Sequence, residues 1–438
     1  MFYCGGGAAG PTVLSPESHL LVLGPPRCGK TTGIVAPNLL RARGAVVVTS
    51  TKADLLVSTY RQRAEIGRVW LFDPMGAIAV PDGVTRLQYS PVSLAVTFSR
   101  SLLLSRAMVR SSALRNAGSL SFWEERAEAT IAPALLGAHL GGLSMAKVMD
   151  MIETKNLDSM LTLLVAKGEI EASRSLSSVL GSADRERSGV LSTAAGILSG
   201  YRMPEVLLQA QNPNFDAANF VSSSDTIYVV APAAVQDVLA PLVVGLIWSI
   251  RDAAFSKIAQ SQVETGQVRQ EAKVKLLLDE MANIAPIYDI GSILSEGASQ
   301  GILVLGVLQD LSQAHQRWPV ASQGFLTLFQ NAVIFPGIGD PRTLGDLSLM
   351  SGEKLVMLPS QGSPRSMLGR IPTSLSGQIR PLLSPSQLAN FEKGTALLFE
   401  AGSGFSRVGI GIPPDDRVLR ATGVRKGISR ARPGVWCR

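Results

Sequence analysis

Eight residues near the start of the chain, Gly24-Pro25-Pro26-Arg27-Cys28-Gly29-Lys30-Thr31, fit the spacing G-x-x-x-x-G-K-[ST]. That spacing serves a polyphosphate. The glycines let successive backbone N–H groups curl round the β-phosphate, and a helix opening behind them adds partial positive charge. Lys30 would reach the β- and γ-phosphates, and Thr31 would ligate Mg²⁺, with Thr32 closing the cradle. Cys28 inside the loop reads as a small filler rather than a redox switch. About 250 residues on, Leu276-Leu277-Leu278-Asp279-Glu280 is an apolar run ending in two acids. Asp279 would hold the Mg²⁺ shell through water, and Glu280 would polarise an attacking water. Gln309 follows the next apolar run, Ile302–Leu308. There it either contacts the γ-phosphate or simply begins a loop. The expected ligands are ATP and Mg²⁺.

These groups need elements to carry them. The first 90 residues alternate: an apolar strand over 19–23, the glycine turn, a helix to about 43, a strand over 45–49, a helix over 52–66 and a strand over Val69–Phe72. This β-α-β-α-β order predicts a parallel sheet with helices on both faces, an α/β fold. From about 92 to 201 the texture changes to Leu, Ala, Met and Ser with one internal proline, Pro133, and helical spacing such as Trp123, Ala127, Ile131 and Leu135. An all-α insertion is expected there. Strands then resume at 226–231, Val274–Leu278, Ile302–Leu308, 332–335 and 396–399, with a helix over 238–259 and a polar loop over 260–271. The expected division is 1–91 and 206–414 as two parts of one nucleotide-binding domain, 92–205 as the inserted helical domain, and 415–438 as a tail.

Composition narrows the class. Of 438 residues, 46% are hydrophobic and 17% charged, which excludes a disordered chain. Three separated cysteines and three histidines exclude a disulfide scaffold and a zinc finger. The net charge of +7 has a location: 417–438 carries seven basic residues and no acid, and the other 34 basic residues are balanced by 34 acids. Such a tail is either drawn to polyanions or is a solvated terminus. Arg86, Arg100, Arg106, Arg110 and Arg115 fall in an acid-free stretch. They would touch DNA phosphates or an acidic partner, or they are scattered surface charges. No segment has ~18 uninterrupted apolar residues, so no transmembrane helix is expected, and the nearest, 238–250, reads as a buried helix. No signal peptide is evident.

The ordered set of motifs resembles the TraG/TraD-type coupling ATPases of type IV secretion and conjugation. It rests on the phosphate loop, Ser50-Thr51-Lys52-Ala53-Asp54-Leu55, Phe122-Trp123, Tyr228-Val229-Val230-Ala231-Pro232, Leu277-Leu278-Asp279-Glu280, Leu308-Gln309-Asp310-Leu311-Ser312-Gln313 and Arg380-Pro381-Leu382-Leu383-Ser384-Pro385, over about residues 20–411. The resemblance implies a RecA-like P-loop NTPase with a mostly parallel sheet and an all-α domain inserted between the two Walker motifs. It also implies a hexamer with ATP between protomers, and delivery of DNA–relaxase complexes to a secretion channel. It assigns Gln309 as a γ-phosphate sensor, beside Lys30 and Glu280 as catalytic residues and Thr31 and Asp279 as metal-binding ones. Two departures stand out. Family members usually carry N-terminal membrane spans, and only 23 residues precede Gly24 here. The expectation is a truncated coupling protein or a soluble variant that borrows a membrane partner. Some relatives also place an arginine three residues before the glycine of Gly301-Ile302, where this chain has Ala298. Arg342 or Arg380 would then have to supply a trans arginine, or hydrolysis is slow.

The expected function is therefore an ATP-hydrolysing coupling protein that recruits and pumps DNA, single- or double-stranded, with relaxosome proteins toward a type IV secretion channel. Its expected place is the cytoplasm, peripheral at the inner face of the membrane. Two alternatives remain: an FtsK-type DNA translocase, against which the helical insertion argues, and a nucleotide-binding recruitment platform with little turnover.

Overall fold

The computed structural model describes residues 1–7, 10–112, 122–265, 274–361 and 373–411. The chain opens with two antiparallel strands, β1 (Tyr3–Gly7) and β2 (Gly10–Val13). Eight parallel strands follow: β3 (Leu20–Leu23), β4 (Val46–Ser50), β5 (Val69–Phe72), β6 (Val84–Arg86), β7 (Thr226–Val230), β8 (Val274–Leu278), β9 (Ile302–Leu308) and β10 (Asn331–Ile334). They lie side by side in the order β10-β3-β9-β8-β4-β7-β5-β6. A separate ribbon, β11 (Glu353–Gln361) with β12 (Thr373–Pro381), stands apart from this sheet. The last two strands, β13 (Thr395–Glu400) and β14 (Gly404–Gly409), extend the sheet beyond β10 with antiparallel pairing, and β1 and β2 complete that side.

The central strands are continuous apolar runs because both their faces are covered. Along β3, Leu20 and Val22 belong to one buried apolar layer and Leu21 and Leu23 to the other. The same alternation along β9 divides Leu303, Leu305 and Val307 from Ile302, Val304 and Leu308. The larger layer continues without a break into helices between β6 and β7. The longest of these, Phe122–Gly141, buries Ala127, Ile131, Leu135 and Ala138 and packs against Phe98–Ser111 and Asp184–Ile197.

Helix Gln236–Thr265 overruns the expected boundary at 259. The residues after it are polar but include no glycine or proline before Gly266, so nothing stops the helix. The stretch Ala233–Ser261, which holds most of this helix, is long and apolar enough to cross a membrane by length and composition: an 18-residue window in it has mean hydropathy 1.8, yet 67% of that window is buried inside the fold. It packs against Phe98–Ser111, as a core helix does. The expected loop beyond Thr265 and the basic tail lie outside the described residues.

The sequence reading missed β1, β2, β6, β14 and the β11–β12 ribbon. β1 has the glycine-rich composition of a flexible lead. Gly5 sits at φ +130°, where an added Cβ would come within 2.9 Å of the Gly409 carbonyl oxygen. The glycine permits the close approach of β1 to β14 and is not a sign of disorder.

Candidate functional site

The chemistry-bearing groups leave three neighbouring strands at one edge of the sheet. β3 runs into Gly24, β9 into Gln309 and β8 into Asp279, and the parallel registers Leu23–Leu308 and Leu278–Gly306 bring their ends together. The main chain ties the first two directly, since the Gly24 amide donates to the Gln309 carbonyl at 3.1 Å. This is the carboxyl end of a parallel sheet, where α/β proteins bind ligands.

The loop from Gly24 to Thr31 is shaped by backbone demands. An added Cβ at Gly24 would meet Phe335 Cβ at 2.6 Å and Cys28 Sγ at 2.8 Å, so only glycine fits. Gly29 stands at φ +98° and Arg27 at φ +63°. Such strained turns aim amides inward and gather at ligand sites. Cys28 is half-buried, and burial pushes its thiol up, away from the reactive thiolate. Lys30 is 8% exposed and donates to the carbonyls of Gly24 and Pro25. Its ammonium is therefore folded onto the loop it would serve. The helix behind opens with a wide, π-type turn, Thr31–Val35, before Ala36–Leu40. Thr32 is exposed at its start.

Thr31 and Asp279 meet although 248 residues separate them: Thr31 Oγ1 donates to Asp279 Oδ2 at 2.7 Å. Asp279 is 9% exposed. Burial raises its carboxyl above the usual carboxylate range, and the Thr31 bond, the Lys30 charge and the Glu280 amide pull it back only in part. Glu280 is raised too, by burial first and then by the Asp279 charge, while Lys30, Asn283 and Gln309 pull the other way. Burial makes ionising both acids costly, a cost that a bound cation would offset. Among the described residues no group of three or more His, Cys, Asp and Glu side chains could hold a metal alone. The fit is to a hard ion that takes one carboxylate, a hydroxyl and phosphate oxygens, the habit of Mg²⁺ with a nucleotide.

Two contributors, Thr49 and Asn283, escaped the sequence reading, and a third, Gln313, entered it only as part of a motif. Thr49, fully buried at the end of β4, donates to the Asp279 carbonyl at 2.6 Å. Asn283 Nδ2 donates to Glu280 Oε2 at 3.4 Å. Gln313 Oε1 accepts from the Gln309 amide at 2.8 Å. A polar residue closing the run Val46-Val47-Val48 was the available signal for Thr49.

Two spans of the chain match family models. Residues 2–82 match the model described as "Type IV secretory system Conjugative DNA transfer", and residues 273–393 match "TraM recognition site of TraD and TraG". The first span holds the phosphate loop and the second holds Asp279, Glu280 and Gln309. Neither span reaches half of the chain, and together they mark a similarity to type IV coupling proteins of the TraG/TraD type. The chain is 24% identical over 404 residues to the conjugal transfer protein TraG of Escherichia coli, covering 85% of this chain and 61% of that protein. The chain thus spans about three fifths of the length of that relative. In fold it is similar to the bacterial conjugative coupling protein TrwBdeltaN70, with TM-score 0.68 at 18% identity over 93% of this chain and 88% of the other. TrwB in complex with ADP and Mg²⁺ gives TM-score 0.67 at 18% identity over 91% and 85%. The fold is RecA-like, α/β with a large, mostly parallel sheet and a helical part, as the fold of TrwBdeltaN70 is.

Within this fold the remaining expected residues are placed as follows. Ala298 is partly buried against the apolar layer that holds Leu303 and Leu305, ahead of β9. Arg342 and Arg380 are both exposed, and Arg380 Nη2 donates to Gln378 Oε1 at 3.0 Å. The acid-free stretch is internally engaged. Arg86 lies 3.7 Å from Asp73, Arg100 2.8 Å from Asp252, Arg106 2.9 Å from Glu128, and Arg110 stacks over the Tyr288 ring at 5.1 Å. Arg115 lies outside the described residues.

Proposed function

We propose that this chain is a nucleotide-driven coupling ATPase of conjugative DNA transfer. The Thr31–Asp279 hydrogen bond carries the reading, because it joins the phosphate loop to the acid pair across 248 residues. The family matches supply the context: the models name conjugative DNA transfer and TraM recognition, and the related TrwB is described in complex with ADP and Mg²⁺.

In this reading Mg²⁺ supplies charge neutralisation at the β- and γ-phosphates. Lys30 leaves the Gly24 and Pro25 carbonyls for the phosphates. Thr31 and Asp279 hold the metal. Glu280 accepts the proton of the attacking water, for which its raised carboxyl is suited. Gln309 hydrogen-bonds Glu280 and registers the γ-phosphate and its loss. Closure and opening between protomers of a hexamer would move DNA with attached relaxosome proteins toward a secretion channel. The sheet with its acid pair, 1–91 and 206–414, would act as motor, 92–205 would meet the substrate, and 415–438 would bind polyanions. The working place would be the inner face of the membrane, through a membrane partner or region. Ala298 favours one second reading, a platform that binds nucleotide and relaxosome with little turnover.

Mg²⁺-dependent ATP hydrolysis by the full chain tests the proposal. Turnover that Lys30→Ala abolishes is expected. Nucleotide binding without turnover would favour the platform.

A further inference from the structure

We infer that Thr49 is a positioning residue that holds Glu280 in its working conformation, an inference that rests on the proposed hydrolysis. The strands β4 and β8 run parallel, and Thr49–Leu278 is their last register pair. Past that pair the Asp279 carbonyl is caught by a side chain: Thr49 Oγ1 donates to it at 2.6 Å, and Thr49 is fully buried. That carbonyl belongs to the peptide joining Asp279 to Glu280.

Glu280 itself stands at φ 54°, ψ 46°, in the left-handed region that disfavours any residue with a Cβ. A conformation of this kind persists only when its surroundings hold it. The peptide before Glu280 is anchored on its carbonyl side by Thr49, and the Glu280 amide turns back to the Asp279 carboxylate. The Glu280 carbonyl accepts from the amides of Asn283 and Ile284, each at 3.0 Å. Without the Thr49 hydroxyl the Asp279–Glu280 peptide loses its carbonyl-side anchor, and the Glu280 side chain shifts as the peptide tilts. Asp279 loses less, because Thr31 holds its carboxylate separately. Thr49 therefore acts on water activation rather than on nucleotide binding.

Thr49→Val keeps the side-chain volume and removes the donor, Thr49→Ala removes it in a smaller side chain, and Thr49→Ser restores it. Hydrogen exchange of the full chain without nucleotide reads the turn itself. The amides of residues 280–284 should exchange about tenfold faster in the Val and Ala variants and at the parent rate in the Ser variant. In steady-state hydrolysis, kcat should fall about 10- to 100-fold with KM for ATP unchanged. Added to Glu280→Gln, Thr49→Val should lower the residual rate no further, because its effect passes through Glu280. Parent-like exchange in both donor-free variants would overturn the inference. So would a raised KM, or an equal loss of rate in the Glu280→Gln background, either of which marks general loosening of the sheet. If the parent hydrolyses no ATP, the hydrolysis reading fails by itself, and the exchange measurement still decides whether Thr49 holds the Glu280 turn.

Discussion

Replacing Thr31 with valine removes one hydroxyl and almost no volume, so its effect isolates the bond to Asp279. That bond is 2.7 Å long and part-buried, and its acceptor is a carboxyl oxygen. Hydrogen bonds to charged groups contribute about 1.5–3 kcal/mol and neutral ones about 0.5–1.5 kcal/mol. Burial raises the folded-state carboxyl of Asp279 above its ordinary value, so ionising it destabilises the fold as pH rises through that value. The Thr31 bond offsets part of this destabilisation. Thr31→Val should therefore lose about 1.5–3 kcal/mol relative to the parent at neutral pH, and only about 0.5–1.5 kcal/mol once Asp279 is protonated in both proteins. Urea unfolding from neutral into acid pH, read as a shift in midpoint at unchanged slope, measures the difference. Thr31→Ser should track the parent. A Thr31→Val loss that is the same at both ends of the range, or smaller than about 0.5 kcal/mol throughout, would refute the assignment of Asp279 as the hydroxyl's charged partner.

Glu280→Gln should retain Mg²⁺-dependent nucleotide binding and lose hydrolysis, trapping ATP; parent-rate turnover would show that Glu280 is not the base. Lys275 is 7% exposed, donates to the Met1 carbonyl, and burial depresses its ammonium to about 8 from an ordinary 10.5. Folded protein therefore releases its proton before unfolded protein does, so stability should rise between pH 8 and 10.5 by about 3 kcal/mol. Lys275→Met should be the more stable form below pH 8 and lack that rise, which chemical denaturation against pH would detect. Removing residues 417–438, with their seven basic side chains, should leave thermal unfolding unchanged and weaken DNA binding most at low salt. Equal affinity of the shortened and full chains at low salt would exclude the tail.

The parts of the site that are local in sequence were the legible ones. A phosphate loop declares itself within eight residues, and Asp279-Glu280 does so at the end of an apolar run. Alternation of strands and helices then implied that both reach one sheet edge, and the order β3-β9-β8 places them there together with Gln309. What escaped depends on contacts between distant segments. Thr49 finds its acceptor 230 residues away, and periodicity reports a burial pattern but no partner. Arg86, Arg100 and Arg106 looked uncompensated because their acids lie outside the acid-free stretch, Asp73 before it and Glu128 and Asp252 beyond it. β1 escaped for a different reason, since its glycines suit both flexibility and close strand approach. The ribbon of β11 and β12 lies outside the main sheet, where no buried run marks its strands.

The central claim is that nucleotide turnover here is coupled to DNA. In the proposed ring Ala298 would supply no charge to a neighbouring site, so free protomers should hydrolyse ATP slowly and gain rate when DNA templates the ring. The direct measurement is ATP hydrolysis with and without single- and double-stranded DNA, paired with particle mass in the presence of ATPγS. The account predicts weak activity and a monomer mass without DNA, and faster hydrolysis with a multi-subunit particle once DNA is added. Hydrolysis that never responds to either form of DNA, in a particle that stays a monomer, would contradict it.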